Sequence, residues 1–314
     1  MKKLISIVIG IVSGAALYAQ QMPLSENYFL DKYSLAPSYA GNFSTKYLFL
    51  GYRSDWSGID GGPKTLRLSY NDSYKQNMGY GAKFIYDKAG IFKQTILLGT
   101  YSYKARLTEE QSILFGLSAG FYSSTLNISE YYNDPKYNLD PALLSANLTS
   151  KLKFMSDFSA VYTYRKLEAG LTFSNINFSD ARYQDANVHY KPLSNFQVHA
   201  GYAFGISNNW DVSPMMILRG GKYIKSQFEF STQASYQKRI WGSLMFRDPG
   251  IWGIGMGANI SRGMKLGYNF NLATSASTRY FNNHEICLGI NIFELTKSKS
   301  EDNMLKSGQL PGAE

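Results

Sequence analysis

Apolar and polar side chains alternate along most of the chain, and this alternation predicts β-strands with one face of each kind. In residues 251–260, for example, Trp252 and Met256 lie on an apolar face, and the intervening positions are glycine or asparagine. Residues 264–273 and 284–293 repeat the pattern. A soluble sandwich would instead combine a charged outer face with a bulky inner one. Strands of about 9–11 residues that are apolar on one face and polar on the other are typical of transmembrane barrels.

About fourteen segments of the chain have this pattern. The predicted strands are 47–56, 65–74, 79–88, 94–104, 111–123, 154–164, 167–175, 196–206, 210–219, 226–236, 239–246, 250–260, 264–273 and 284–293. The prediction is weakest for the first strand and for residues 210–219, where Pro214 lacks the N–H that a strand needs.

The connections between these strands alternate in length. From each even-numbered strand to the next odd-numbered one, the connection has about six residues or fewer. The opposite connections include residues 124–153 and 176–195. Short turns on one side and long loops on the other are the pattern of outer-membrane barrels. We therefore expect an all-β fold, a transmembrane antiparallel up-and-down β-barrel of about 14 strands with both termini periplasmic.

The chain begins with the features of a secretory signal peptide. Lys2 and Lys3 precede an apolar stretch of about 14 residues, which is too short to span a membrane as an anchor. We expect cleavage after Ala19 and residence in the outer membrane. The expected division is a signal peptide at 1–19, an N-terminal periplasmic or lumen-plug segment at 20–46, the barrel at 47–293, and a charged, disordered periplasmic tail at 294–314.

Composition and charge exclude several classes of protein. The mean hydropathy of −0.25 and the lack of a long apolar run exclude a helical membrane protein. The net charge of +9 is spread along the chain without a Lys/Arg-rich run, which argues against nucleic-acid binding. The 25 tyrosines, 19 phenylalanines and 28 glycines suit strands that contact lipid on one side. Cys287 is the only cysteine, so no intrachain disulfide can form.

Two glycine motifs and the histidines do not support catalysis. Ser118 lies within a G-x-S-x-G sequence, but this sequence is predicted to be mid-strand, where no nucleophile elbow can form. Gly253 begins a G-x-G-x-x-A sequence that no helix follows, so it has no basis for binding phosphate. No histidine stands at metal-ligand spacing from another histidine or from cysteine. We therefore expect no enzyme activity, no metal site and no cofactor.

Two segments near the N-terminus are unusual for a barrel. Residues 35–41 are apolar and contain Pro37 and Gly41. Residues 52–65 form the first long connection, in which Arg53 and Trp56 lie close to three glycines and a proline. An Arg–Asp pair beside a tryptophan is suited to a recognition rim, and a cluster that merely packs the loop fits the residues equally well.

These segments carry a resemblance to the PorP/SprF family, which comprises outer-membrane proteins of the type IX secretion system. The family's N-terminal L-N-P-A-Y-A-G motif is matched at 35–41 except at Ala36 and Ser38, and its R-x-Q-W-x-G-I-D-G-A-P-x-T motif is matched at 53–65 except at Asp55 and Gly62. A family H-E-I motif is matched near the C-terminus. The matching residues are Pro37, Tyr39, Ala40 and Gly41, then Arg53, Trp56, Asp60, Gly61, Pro63 and Thr65, then His284 and Glu285.

The resemblance implies a role in exporting or displaying proteins at the cell surface, in some members for gliding motility. The implied partners are a cargo protein, through the C-terminal domain of a large surface adhesin, and the periplasmic type IX machinery, with outer-membrane lipid around the barrel. On this reading Arg53, Trp56, Asp60 and Pro63 belong to a docking or ordering loop, and His284 and Glu285 lie at the rim.

Two other functions remain open at this point. Barrels of about fourteen strands also include long-chain fatty-acid channels, in which an N-terminal segment plugs the lumen, so residues 20–46 would serve as the plug of a transporter of small hydrophobic molecules. The polar lumen faces argue modestly against this. A barrel enzyme is disfavoured, because no serine and histidine are predicted to meet at one rim.

Overall fold

The protein folds as a closed antiparallel β-barrel of fourteen strands. The computed structural model describes residues 25–42, 46–127, 148–149, 152–177, 181–182, 189–190, 195–221, 224–261, 263–274 and 282–294. The predicted signal peptide and nearly all of the predicted tail lie outside these ranges. Within them, no helix is long and apolar enough to cross a membrane.

The strand count and order agree with the prediction from the sequence. The strands are β1 Tyr47–Asp55, β2 Lys64–Lys75, β3 Met78–Ala89, β4 Phe92–Arg106, β5 Gln111–Leu126, β6 Lys153–Tyr164, β7 Leu167–Asn177, β8 Asn195–Tyr202, β9 Trp210–Gly221, β10 Ile224–Tyr236, β11 Ile240–Arg247, β12 Ile251–Ser261, β13 Met264–Ala273 and β14 Asn282–Asn291. Each strand pairs with the next along the chain, and β1 pairs with β14 from Tyr47↔Asn291 to Asp55↔Asn283, which closes the barrel.

The proline in β9 interrupts the pairing on one side only. Pro214 lies opposite Thr232 of β10, in a ladder that runs without a break from Trp210 to Arg219. On the other side, β8 ends at Tyr202, and pairing with β9 resumes at Phe204–Gly205. Because proline has no N–H to donate, the gap falls where the ladder lacks a donor.

The two faces of the strands are those that the alternation predicts. Trp252, Ile254 and Met256 of β12 are 57%, 53% and 60% exposed on the outer surface. In the adjacent strand, Leu272 is exposed and Asn271 is buried. Lipid replaces water around such a surface, and the closed ladder leaves no strand edge unpaired in it.

The two ends of the barrel differ in their connections. We call the end with residues 76–77, 107–110, 165–166, 203–209, 237–239 and 262–263 the turn end. We call the other end, which carries the long connections 127–152 and 178–194, the loop end. The side of the membrane that each end faces remains a prediction.

Residues 25–42 lie inside the barrel, and we call them the lumen segment. They contain a short α-helix, α1 Lys32–Leu35, and a 3₁₀ turn, Pro37–Tyr39. Their side chains and backbone bond to strands all around the wall, from β1 to β14, which is possible only within the lumen. Their apolar side chains form a core with the inner wall, made of Tyr28, Leu35, Ala36, Tyr39, Leu114, Val161, Met215 and Ile217.

The lumen segment runs from the loop end to the turn end. Ser25 donates to Glu285, which lies near the loop end of β14, and the N–H of Gly41 donates to Asn71, near the turn end of β2. The described chain ends at Glu294, beyond the turn end of β14. The first and last described residues therefore lie at opposite ends of the barrel, and the periplasmic location of both termini stays a prediction.

Candidate functional site

The lumen segment is held mostly by buried polar contacts. Tyr33 Oη and Thr100 Oγ1 share a hydrogen bond of 2.5 Å, and Tyr39 Oη and His199 Nε2 share one of 3.0 Å. The backbone takes part as well, since the N–H of Ser38 donates to Ser159 Oγ at 2.8 Å. An isolated polar group inside a barrel would be costly, so these pairs fix where the segment lies.

Two wall glycines allow the segment to come close to the strands. At Gly79 of β3, a Cβ atom would overlap the carbonyl oxygen of Ala40, and at Gly116 of β5 it would overlap the backbone of Pro37 and Ser38. Gly116 is the first glycine of the G-x-S-x-G sequence. That sequence thus serves a close backbone approach, and Ser118 Oγ is bound to Thr100 Oγ1 at 2.7 Å.

A cluster of six charged residues anchors the start of the lumen segment near the loop end. We call it the charge cluster; its members are Glu26, Arg53, Arg219, Glu229, Arg247 and Glu285. Glu26 accepts from Arg53 Nη1 at 2.9 Å and from Arg247 Nη2 at 2.9 and 2.8 Å. Burial alone would disfavour the charged form of the Glu26 carboxyl, and the neighbouring guanidinium groups of Arg247 and Arg53 offset this cost.

The second carboxylate of the charge cluster joins three strands to the segment. Glu229, which is fully buried, accepts from Arg219 Nη1 at 2.6 Å and from Arg247 Nε at 2.7 Å. Tyr28 Oη of the lumen segment donates to it at 2.7 Å. Every charge here has a partner of opposite sign, which is the condition under which buried ions are tolerated.

Glu285 completes the charge cluster. It accepts from Ser25 Oγ at 2.7 Å and from the N–H of Glu26 at 2.8 Å, and Arg53 Nη1 lies 3.6 Å from its carboxylate. The segment is therefore bound to the wall by side chains that come from both ends of the sequence.

The structure separates the residues predicted for a docking loop into two groups. Arg53 faces the lumen, where it holds Asp55 through Nε at 3.0 Å as well as Glu26. Thr65 is buried and donates to Asp87 at 2.6 Å. The predicted Arg–Asp pair exists, but it lies in the inner wall rather than on an exposed rim.

The other group forms a folded loop at the loop end. Trp56 is 38% exposed and adopts a positive φ of 56°, and Gly58 and Gly61 adopt φ angles of 94° and 79°. The N–H of Asp55 donates to the carbonyl of Pro63 at 2.8 Å, which closes the loop at its base. The glycines of the G-I-D-G sequence thus supply left-handed backbone positions.

This loop is joined to its neighbours and presents an acidic side chain. The N–H of Trp56 donates to Asn282 at 2.7 Å, and the N–H of Gly90 donates to Gly61 at 3.0 Å. Asp60 is exposed. Trp56 and Asp60 are therefore the members of the predicted site that a partner at the loop end could reach.

The remaining predicted residues lie in and around the lumen. The part of the lumen segment that leads to the turn end contains Pro37, Tyr39, Ala40 and Gly41. Ser102 Oγ donates to the carbonyl of Ala40 at 2.5 Å. His284 lies on the outer face, where Nδ1 bonds to Tyr268 Oη at 2.6 Å. The adjacent pair of His284 and Glu285 therefore points to opposite sides of the wall.

A cavity of about 170 Å³ remains between the lumen segment and the loop end, and we call it the loop-end cavity. The lumen segment supplies part of its lining through Asp31 and Leu35, and the strands supply charged, amide and apolar side chains. Sequence reasoning did not find this cavity, nor the roles of Glu26, Arg219 and Arg247. For the two arginines, the available signal was a charge on an inward-facing strand position.

A family model described as type IX secretion system membrane protein PorP/SprF matches residues 17–290 of the chain. The resemblance predicted from the motifs is thereby confirmed. No curated protein matches the chain.

Solved structures with a similar fold are outer-membrane barrels. The toluene transporter TbuX of Ralstonia pickettii has a TM-score of 0.50 at 10% identity, over 82% of this chain and 92% of that one. Omp33 of Acinetobacter baumannii has a TM-score of 0.49 at 9% identity, over 79% of this chain and all of that one. At 10% identity the likeness to TbuX shows the fold alone. Family and fold together place the protein in the outer membrane.

Proposed function

Because the chain belongs to the PorP/SprF family of type IX secretion membrane proteins, we propose that it is a non-enzymatic docking component of that system. It would hold the C-terminal domain of a secreted surface protein at the loop end, and it would contact the periplasmic machinery at the turn end. The lack of enzyme activity is part of the proposal. It is supported by Ser118 and His199, which are each bound to another buried side chain rather than to one another.

The observation that carries this proposal is the obstructed lumen. Tyr33 and Tyr39 of the lumen segment are each 1% exposed and fill the middle of the barrel. Opening a conduit would require breaking the contacts of these tyrosines and those of Glu26 with Arg53 and Arg247. A barrel whose lumen is closed at mid-depth is better suited to holding a partner than to conducting one.

The exposed loop supports a site for the partner. Trp56 and Asp60 lie on a loop whose backbone is fixed by hydrogen bonds to β14 and to the β3–β4 turn. An aromatic side chain on a rigid support costs little conformational entropy when it binds. We propose that these two residues contact the cargo, and that Arg53 positions the lumen segment behind them.

The test is to compare the surface-bound and secreted proteomes of a deletion strain with those of the wild type. Loss of many type IX cargo proteins would indicate a core component, and loss of one large surface protein would indicate a dedicated anchor. Complementation with Trp56→Ala/Asp60→Ala should restore the barrel to the outer membrane but not cargo retention. A Tyr101→Phe variant, changed at an exposed residue on the outer face of β4, is the control and should restore both.

A second candidate is a transporter of small hydrophobic molecules. The observation that favours it is the apolar part of the loop-end cavity, which includes Ile85, Ile96 and Leu98. An unchanged proteome in the deletion strain, together with slower uptake of a small aromatic hydrocarbon, would support this candidate over docking.

A further inference from the structure

Positive charge predominates at the turn end of the barrel. The ion pairs at this end are Lys46–Asp72 at 3.3 Å, Arg165–Glu110 at 2.7 Å and Lys32–Glu168 at 2.6 Å. Among the described residues, the acidic side chains of this end without a basic group within 4.0 Å are Glu109, Asp211 and Glu294. On the same criterion, the basic side chains without an acidic group are Lys75, Lys104, Arg106, Lys166, Lys238, Arg239 and Lys265. We call these basic residues the turn-end cations.

The loop end has no comparable excess of positive charge. Outside the charge cluster, the charged side chains described at its strand ends and connections are equally divided between lysine and aspartate. They are Lys64, Lys88, Lys93 and Lys153, and Asp55, Asp60, Asp87 and Asp248. The positive charge that is spread along the sequence is therefore concentrated by the fold at one end.

Part of this charge faces the mouth of the barrel. Lys104 of β4 lies opposite Leu114 of β5, whose side chain is buried in the core around the lumen segment. The preceding residue, Tyr103, is 41% exposed on the outer face. Arg106 lies two residues beyond Lys104, so the alternation of the strand places both cations on the inner face.

A third inward cation lies on β13. Lys265 Nζ is 4.5 Å from the centre of the Tyr47 ring, and Tyr47 belongs to the buried cluster against which Leu30 of the lumen segment packs. Lys265 therefore lies at the inner wall, where its charge contacts an aromatic face. The strands β4 and β13 are not adjacent in the barrel, so the inward cations approach the mouth from separate parts of the wall.

This inward position determines which anions the three cations can reach. Lipid headgroups surround the outside of the barrel, whereas Lys104, Arg106 and Lys265 face the aqueous mouth. Residues 295–314 of the chain contain three lysines and three acidic residues, so this tail offers no excess of negative charge. The complementary charge is therefore best supplied by another protein.

We propose that the mouth at the turn end binds an acidic segment of another protein, whose glutamate or aspartate side chains contact Lys104, Arg106 and Lys265 together. Charge complementarity of this kind speeds association and selects the partner more than it adds affinity. The exposed turn-end cations Lys238 and Arg239 extend the positive field around the mouth. The inference rests on the proposed function only for the source of the segment, the periplasmic machinery.

The direct test uses the purified full chain in an uncharged detergent and three fluorescent dodecapeptides. In the first, glutamate alternates with serine; in the others, glutamine or lysine replaces the glutamate. We expect the glutamate peptide to bind at least tenfold more tightly than either of the others at low salt, and to lose at least fivefold in affinity in about 0.3 M salt. Equal binding of the glutamate and glutamine peptides, or binding that salt does not weaken, would overturn the proposal.

Paired substitutions localise the site. Lys104→Gln/Arg106→Gln should weaken binding of the glutamate peptide at least fivefold. Lys64→Gln/Lys153→Gln removes the same charge at the loop end, so it is the matched control and should leave the affinity within twofold of the wild type. Equal weakening by both pairs would show that binding follows the net charge of the whole barrel, and the proposal would be wrong. If the first pair lowers the unfolding temperature, Lys265→Gln tests the same mouth from β13.

Native mass spectrometry distinguishes a protein partner from lipid. Phosphatidylglycerol that remains bound to the purified chain should be retained equally by the wild type and by Lys104→Gln/Arg106→Gln, because these side chains face away from the bilayer. Loss of bound phosphatidylglycerol in this variant alone would assign the cations to anionic lipid and overturn the proposal.

The deletion strain separates this inference from the proposed function. If the strain loses cargo while the purified chain does not select the glutamate peptide, the docking function stands and the inference about the mouth fails. If the deletion changes no cargo while the purified chain selects the glutamate peptide through Lys104 and Arg106, the inference stands and the docking function fails.

Discussion

Glu26 and Arg247 lie 221 residues apart in the sequence, and Arg247 Nη2 donates to both carboxylate oxygens of Glu26, at 2.9 and 2.8 Å. Arg53 donates to the same carboxylate from β1. Both ions are buried, so their attraction must offset a large cost of desolvation. Such pairs contribute less to stability than to the choice of one arrangement. Here the selected arrangement is the one in which the lumen segment begins at the loop end of the barrel.

Removing the charge of Glu26 should loosen the contact between the start of the lumen segment and the barrel wall. Glu26→Gln leaves Arg53 and Arg247 buried with less compensation, and breaking a buried pair costs ~3–5 kcal/mol. The single cysteine reports the change, since Cys287 is buried in a cluster against which Leu30 of the lumen segment packs. We expect maleimide to label Cys287 faster in the variant than in the wild type.

The control for this prediction is an exposed ion pair. Arg165 Nε donates to Glu110 at 2.7 Å at the turn end, where both side chains are exposed. Glu110→Gln should change stability by about 0–1 kcal/mol and leave the labelling rate unchanged. Equal labelling rates in Glu26→Gln and Glu110→Gln would contradict the anchoring role of the charge cluster.

A methyl group on β5 should push against the lumen segment. A Cβ at Gly116 would overlap the backbone of Pro37 and Ser38, and overpacking of this kind costs ~1–3 kcal/mol. We expect Gly116→Ala to lower the unfolding temperature in detergent and to raise the rate of Cys287 labelling. Gly99→Ala is the control, because its nearest neighbouring atom would be 3.9 Å away. The same unfolding temperature in both variants would show that the segment does not press on β5.

The hydroxyl of Tyr39 should stabilise the fold. Tyr39→Phe removes the partner of His199 Nε2 at a site that is 1% exposed, and an unsatisfied buried group costs ~1–3 kcal/mol. Thermal unfolding in detergent measures the loss. Tyr74→Phe changes a tyrosine that is 68% exposed and should have no effect. If Tyr39→Phe unfolds at the wild-type temperature, water has replaced the lost contact.

The alternation of side chains was sufficient to predict the barrel. Each strand must meet lipid on one face and the lumen on the other, so the strand count and the facing of residues such as Trp252 follow from local sequence. The ends of strands are less well determined. β4 extends over Phe92–Arg106, beyond the predicted 94–104, because backbone pairing continues where the alternation fades.

The site could be predicted only in part. The resemblance to the family motif identified Arg53, but its role in anchoring the lumen segment was missed. Arg53 lies at every second position after Phe49 and Gly51, so the alternation along β1 already placed it on the inner face. The partners of Glu26 could not be predicted, because no local pattern determines which inward charges meet across the lumen. The loop-end cavity was missed for the same reason, since it is formed by residues that are distant in the sequence.

The facing of β10 gives a direct test of the register in the membrane. Phe230 is 39% exposed near the middle of β10, while Gln233 faces the lumen and is half-buried. An arginine on the lipid face near the midplane costs ~2–4 kcal/mol, so Phe230→Arg should destabilise the barrel in lipid bilayers by about that amount. Gln233→Arg should cost much less, because its charge can remain in the polar lumen. Asn271 would be an unsuitable lumen control, since it is only 2% exposed and an arginine there would be overpacked. Unfolding by denaturant in bilayers measures both variants, and equal losses at Phe230 and Gln233 would contradict the register of the strand.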